Sequence, residues 1–217
     1  MKKKIAVILS GCGYLDGAEI TEAISSLIVL SELGVDYQVF APNIIFSVVD
    51  HLTGQPTGEK RNALTESARI ARGKALDLEE LNPDHFDAIV FPGGFGAAKN
   101  LSTFAEKGAN ATVLASVQKV IEAFHTQCKP IAGICISPAV IATVLGSKGV
   151  EVTIGNDRAV AEQIEKTGAE HHDCDVEDYL TDRDNKVITT PAYMYDAKPN
   201  QVFNGIRKAL RELVEMA

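Results

Sequence analysis

Cys135 stands in the stretch "IAGICISPAVIA", between the apolar run Ile131–Ile134 and the helix-start signal Ser137-Pro138. Proline suits a first helical turn, where its missing N–H has no intrahelical partner. A thiol at such a strand-to-helix turn is lifted above the sheet, beside free backbone N–H groups and the positive end of the helix dipole. Both lower its pKa and favour the nucleophilic thiolate, the logic of a nucleophile elbow with Cys in place of Ser. The competing reading is a small buried hydrophobe that fills a gap. The local sequence leaves both open.

Two acids could work with that thiol. Glu19 and Glu22 follow Gly17-Ala18 and lie three apart, so they neighbour each other on a helix surface. Acids in a first turn are ordinary partners of the helix dipole. At least one should face a crevice, where poor solvation raises a carboxyl pKa and lets the group donate a hydrogen bond to sulfur. "FPGGFG" then exposes backbone at a strand exit. The amides of Gly94 and Ile136 are expected to form an oxyanion hole, with Gly93 beside them. An ordinary glycine-rich strand exit accounts for the same residues.

Other polar clusters carry weaker signals. "EHHDC", 170–174, packs potential ligands together, but at no structural-zinc spacing and without a second pair. It is expected to be a solvated loop or a pocket wall, and no metal is expected. "GCGYLDG" places Asp16 where a dinucleotide loop needs its third glycine, and no Walker A motif exists, so no cofactor is expected. Cys12, in that loop, is expected to pack it. The alternative is a resolving thiol that forms a disulfide with Cys135 after oxidation.

The elements that must position these residues follow from hydrophobic period. "KIAVIL", "YQVFAP", "FDAIVFPGG", "KPIAGIC", "VEVTIG" and "DNKVITTPAY" are strand-like runs. Between them lie helical patterns. Ile20, Ile24, Leu27, Ile28 and Leu30 mark one apolar face, which closes at Leu33-Gly34. Val113, Val117, Val120, Ile121 and Phe124 mark another, with Asn110 as its N-cap. "SPAVIATVLG" and "DRAVAEQIEKTG" are two more, and Phe203, Ile206, Leu210 and Leu213 stripe a closing helix. The turn signals Thr53-Gly54 and Thr57-Gly58 suggest a hairpin-like excursion. The alternation predicts one α/β domain, 1–217, a three-layer sandwich with a mainly parallel sheet and helices on both faces. The ligand crevice of such a sheet lies off the carboxyl ends of the strands. The loops "SGCGYLDGAEITE" and "PGGFGAAKN" and the turn at Cys135 should converge there.

Bulk composition narrows the partners. With 21 Lys and Arg against 29 Asp and Glu, the formal charge is −8. There is no basic stripe, so nucleic acid and anionic membrane are poor partners. No apolar run approaches a membrane span. The apolar part of "MKKKIAVILS" is too short for a signal peptide and is expected to be the first strand. Four cysteines in 217 residues make no disulfide scaffold, and reduced thiols in a cytoplasm are expected.

Taken together, "DGAEITEA", "FPGGFGAAKNL" and "GICISPA" resemble the DJ-1/PfpI branch of the class I glutamine-amidotransferase-like superfamily over nearly the whole chain. "ILSGCGYLDGAEI", "HLTG", "RNALTESARI" and "NKVITTPAYM" are similar to one subfamily, the glyoxalase ElbB group, also called enhancing lycopene biosynthesis or sigma cross-reacting proteins. The resemblance implies a flavodoxin-like sandwich that forms a homodimer. It places the nucleophile at Cys135, its carboxylate at Glu22 and the oxyanion amides at Gly94 and Ile136. The implied activity is cofactor-free conversion of glyoxal to glycolate, which could itself reflect a protein or nucleotide deglycase. The alternative is a non-enzymatic redox sensor or interaction protein with an oxidisable Cys135. Departures from the family matter. Ile136 stands where PfpI-type proteases carry His after the nucleophile, "TTPAYMY" replaces the glutaminase His-x-Glu, and the DJ-1 histidine is missing near "VTIGND". Peptidase and glutaminase activities are therefore disfavoured. His171, His172 and Tyr193 are accessory candidates for the missing group.

Overall fold

The computed structural model describes residues 2–217; Met1 lies outside them. In chain order the strands are β1 (Lys4–Ile8), β2 (Asp36–Ala41), β3 (Ile45–Val49), β4 (Pro56–Asn62), β5 (Ala75–Asp77), β6 (Ala88–Phe91), β7 (Ile131–Ile134), β8 (Glu151–Val152), β9 (Glu170–His171), β10 (Leu180–Asp182) and β11 (Val187–Thr190). The helices are α1 (Ile20–Glu32), α2 (Ala63–Ile70), α3 (Phe95–Lys99), α4 (Phe104–Lys107), α5 (Ala115–Thr126), α6 (Ser137–Leu145), α7 (Arg158–Glu165) and α8 (Pro199–Met216).

Seven strands form the central sheet in the order β10-β11-β7-β6-β1-β2-β5. Every pairing in it is parallel except β10 with β11. The continuous apolar runs are explained by burial on both faces. In β1, Ala6 and Ile8 join the core packed by α5 and α6, while Ile5 and Val7 join the core packed by α1 and α8. The flavodoxin-like sandwich expected from the sequence is the observed architecture. The order reverses at β1, from which the chain winds toward β2 on one side and β6 on the other, and this switch point opens the crevice.

Several elements differ from expectation. The helical face Ile20, Ile24 and Ile28 points outward, at 47%, 37% and 45% exposure. The buried side of α1 instead carries Glu22, Ala23, Ser25, Ser26, Val29 and Leu30. Small residues there allow close packing against α8, and the rotation carries Glu22 inward. Asn110 caps nothing in α5, which starts five residues later with Leu114 at its N-cap; Asn110 ends a short 3₁₀ turn. "VEVTIG" contributes only β8, which pairs with β9 in a separate two-stranded sheet. Residues 170–171 are thus strand rather than loop. The expected hairpin is present as antiparallel β3 and β4. Among the described residues, no helix is long and apolar enough to cross a membrane.

Candidate active site

Cys135 follows β7 with φ +61°, a left-handed conformation that few non-glycine residues adopt. Its amide donates to the Thr190 carbonyl of β11 at 2.9 Å, and Ser137 Oγ donates to the Pro92 carbonyl at 2.9 Å. These bonds hold the turn against its neighbours on both sides, and Pro138 opens α6 immediately after it. The strained elbow therefore exists. Backbone strain of this kind persists only where its surroundings impose it, and it clusters at active sites.

The sulfur faces the amides of Gly94 and Ile136, and the thiol donates to the carboxyl of Glu22. Gly94 has φ +94°, and a Cβ there would collide with the Glu19 amide and the Gly17 carbonyl. Neighbouring amides are already spent: Phe95 N–H donates to the Tyr14 carbonyl at 2.7 Å and Gly96 N–H to the Gly17 carbonyl at 2.9 Å. The Gly94 amide is left for the sulfur. Gly93 does a different job from the one expected. Its N–H donates to Glu22 Oε2 at 2.9 Å, so it holds the acid and does not belong to the oxyanion hole. A Cβ on Gly93 would stand 2.5 Å from Cys135 Cβ and 2.7 Å from Glu22 Oε2. Only glycine lets these two groups approach.

Glu22 is fully buried, with the Tyr193 amide on Oε1 at 3.3 Å as its second backbone donor. Burial, helped by the charge of Glu19, raises its pKa to about 8, against the pull of the two amides and the thiol. Among the described residues no cation pairs with it. Burial also pushes the Cys135 thiol up, and so does the charge on Glu22, while the Gly94 and Ile136 amides pull it down. The lowered thiol pKa expected from the turn alone is thus corrected: desolvation outweighs the donors. Glu22 therefore gives up its proton at about 8, ahead of the thiol, which burial and the Glu22 charge hold well above its usual value.

Glu19 is the N-cap of α1 and accepts from the Glu22 amide at 2.7 Å. The dipole-partner reading holds for Glu19 and fails for Glu22. A cavity of about 280 Å³ lies over Cys135, lined also by Tyr14, Glu19, Phe95, Asp157, Val160, Tyr193 and Met194. The three expected segments converge on it, and two more join them. Asp157, N-cap of α7, and the Tyr193-Met194 turn were not all legible as site residues. Asp157 and Val160 could have been found as the exit of the run "VEVTIG", since the exits of β1, β6, β7 and β11 also line the crevice.

Three expected accessory residues are elsewhere. His171 accepts from the Ile154 amide through Nε2 at 3.2 Å, and its side chain is buried in the β8–β9 sheet. His172 faces Glu151 at 3.4 Å, and with Glu170 these groups place three possible ligand atoms within 4.8 Å of one another on the surface. Neither histidine lines the Cys135 cavity, so neither replaces the missing family histidine. Cys12 opens into a different cavity, with Asp16, His51, Arg61 and Glu66, and a resolving role toward Cys135 has no geometric support. Asp16, the residue in place of the third glycine, is buried and accepts from the Val49 amide at 2.8 Å, tying the loop to the β3–β4 hairpin.

Known proteins share the fold. The structure superposes on an isoprenoid biosynthesis protein with an amidotransferase-like domain from Ehrlichia chaffeensis, with TM-score 0.93 and 38% identity over 99% of each chain. Drosophila melanogaster DJ-1beta, 18% identical with TM-score 0.59, shares the fold. In sequence, the human mitochondrial glutamine amidotransferase-like class 1 domain-containing protein 3 is 46% identical over 98% of this chain and 83% of its own length. The rat mitochondrial ES1 protein homolog is 42% identical over 99% of this chain and 84% of its own. The zebrafish ES1 protein is likewise named mitochondrial. These mitochondrial names overturn the expected cytoplasm. Residues 3–195 match the DJ-1/PfpI family, and with relatives this similar along its whole length the chain belongs to that family.

Proposed function

We propose that the protein is a cofactor-free glyoxalase with Cys135 as nucleophile. The observation that carries this reading is the buried Glu22, unpaired with any cation and hydrogen-bonded to a thiol that two amides also face. The Glu22 carboxylate takes the proton of the Cys135 thiol, and the resulting thiolate attacks one aldehyde carbon of glyoxal. The carbonyl π electrons move to oxygen, and the Glu22 proton quenches that charge to give a hemithioacetal. Glu22 carboxylate then takes the C–H proton of that carbon and returns it to the second carbon, through an enediol. The product is a glycolyl thioester on Cys135. Water hydrolyses it to glycolate and restores the pair. In this reading the amides of Gly94 and Ile136 bind the oxyanions of both addition steps.

Release of glycolate from glyoxal by the protein under reducing, chelated conditions tests the reading; absence of turnover would refute it. The rival, an oxidisable sensor at Cys135, uses the same donors to hold a sulfinate and requires no turnover. A deglycase would show as release of a free amine from a glycated model compound in the same assay.

The protein is further proposed to be a homodimer. Ile20, Ile24 and Ile28 lie at i, i+4 and i+8 on the outer face of α1, an apolar stripe left largely exposed among the described residues. Light scattering at micromolar concentration should give the dimer mass, and Ile24→Glu should give the monomer. A monomeric wild type would end this proposal.

A further inference from the structure

The cavity over Cys135 does not suit glyoxal alone. At about 280 Å³ it lies close to the range of sites that enclose a whole small organic ligand, roughly 300–1,000 Å³. A molecule made of two joined carbonyls fills a small part of it. The remaining wall is apolar: Phe95, Ile136, Val160 and Met194, with the rings of Tyr14 and Tyr193. Phe95, Ile136 and Val160 also border an adjoining groove that continues toward Ala98, Phe104 and Ala159. The apolar lining thus runs outward from the thiol rather than ending at it.

Charge narrows the class further. The cavity lining includes the carboxylates of Glu19 and Asp157 and no Lys, Arg or His. Both carboxylates are fixed by capping bonds, Glu19 to the Glu22 amide at 2.7 Å and Asp157 to the Ala159 and Val160 amides at 3.0 and 3.2 Å. Lys99, whose ammonium lies 5.0 Å from the Phe95 ring centre, donates to the Leu15 carbonyl at 3.1 Å. An anion entering the cavity would meet two fixed negative charges and no cation to pair with. This disfavours 2-oxo acids, sugar phosphates and nucleotides alike.

We infer that the substrate class of this site is a neutral 2-oxoaldehyde bearing an apolar substituent, aryl or branched alkyl, which lies along Phe95, Ile136 and Val160 while its aldehyde carbon faces Cys135. The inference rests on the glyoxalase reading. The chemistry is unchanged: the thiolate adds to the aldehyde carbon, the C–H proton moves through Glu22 to the ketone carbon, and water releases a 2-hydroxy acid.

Two measurements on the full chain test it. In the first, Cys135 alkylation is followed by peptide mass spectrometry, with each rate normalised to that of a free thiol. N-phenyliodoacetamide should outpace iodoacetamide, and anionic iodoacetate should be slowest. In the second, kcat/KM for phenylglyoxal should exceed that for glyoxal by about tenfold or more, the scale of discrimination an apolar pocket gives. Phe95→Ala, a change at a half-exposed position, should shrink that ratio several-fold. Iodoacetate reacting as fast as the phenyl reagent, or glyoxal turned over as well as phenylglyoxal, overturns the inference. Ordered alkylation with no dicarbonyl turned over at all refutes the reaction itself, and the substrate class with it, leaving a selective cavity of another function.

Discussion

Cys135 and Cys12 each lie near a buried glutamate, Glu22 hydrogen-bonded to the Cys135 thiol and Glu66 in the Cys12 cavity, and the two neighbourhoods treat that acid differently. Glu66 meets Arg69 at 2.9 Å and Arg61 at 3.6 Å, so its charge is matched in place. Glu22 meets only backbone amides and a thiol, and its pKa rises to about 8. Cys12 has ordinary loop backbone, and burial together with the charges of Glu66 and Asp16 pushes its thiol up. Cys135 sits at φ +61° with two amides on its sulfur. A buried acid paired with arginine fixes structure; a buried acid paired with a thiol holds a movable proton. The comparison separates the two roles better than residue type or burial does, because both glutamates are buried and both cysteines are reduced.

The comparison is broken most directly by deletion of each sulfur. Cys135→Ala should abolish glyoxal turnover with the far-ultraviolet dichroism unchanged, while Cys12→Ala should stay within about twofold of wild type, since its cavity holds no proton donor aimed at sulfur. Equal losses in the two variants would show that the neighbourhoods do not differ in function. Next in size, Glu22→Leu should lower turnover by roughly 10²-fold or more, the scale of losing a general acid–base group. The double variant Glu22→Leu/Cys135→Ala should be no worse than Cys135→Ala, because the pair acts as a unit.

The pH profile sharpens the same contrast. Below about pH 8 Glu22 keeps its own proton and cannot take the one on the Cys135 thiol, so kcat/KM for glyoxal should rise with pH toward about 8. Stability should move the opposite way. The folded pKa of Glu22 lies above its unfolded value, so the unfolded state binds fewer protons between roughly pH 5 and 8, and stability falls as pH rises through that window. Glu22→Gln has no such proton to lose. Thermal melts of both proteins across the window should diverge, with wild type losing ground at the alkaline end. Parallel melting curves would show that Glu22 is ionised throughout.

Much of this was legible in the sequence. The strand runs, the elbow before Ser137-Pro138 and the glycines at 93 and 94 follow from local chemistry, and local chemistry is what a sequence displays. The sheet's edges were harder. β5 and β10 have three residues each, too few to show a period, and β8 left the main sheet because its partner is β9. The largest misreading was the orientation of α1. Its isoleucines form the more hydrophobic stripe, yet the inward face carries Ala23, Ser25, Ser26 and the acid itself. Hydrophobic period assumes that the apolar side is buried. It fails where a helix must pack closely and carry a carboxyl to a thiol, and where the outer stripe is free to meet another chain. Type and placement pointed to Cys135 and to one of Glu19 and Glu22, and the family resemblance chose Glu22, but the direction of the thiol pKa depended on burial, a tertiary quantity.

The smallest expected effect concerns the structural half of the comparison. Arg69→Ala removes the closer of the two guanidiniums from Glu66, whose side chain is 7% exposed, while that of Arg69 is 64% exposed. Loss of a partner strands a buried carboxylate, which is costly when the pair is fully enclosed. Here water reaches the arginine side, and Arg61 remains at 3.6 Å, so most of that penalty is screened or taken up. The expected loss is about 1 kcal/mol, a fall in melting temperature of roughly 2–4 °C for a chain of this size. Glyoxal turnover should not change, because Glu66 lies in the Cys12 cavity and outside the lining over Cys135. Calorimetry and a turnover assay on the one variant therefore read the two neighbourhoods separately. A melting temperature equal to wild type would mean that Arg61 alone satisfies Glu66. A fall in turnover without a fall in stability would couple the Cys12 cavity to the chemistry and undo the division drawn between them.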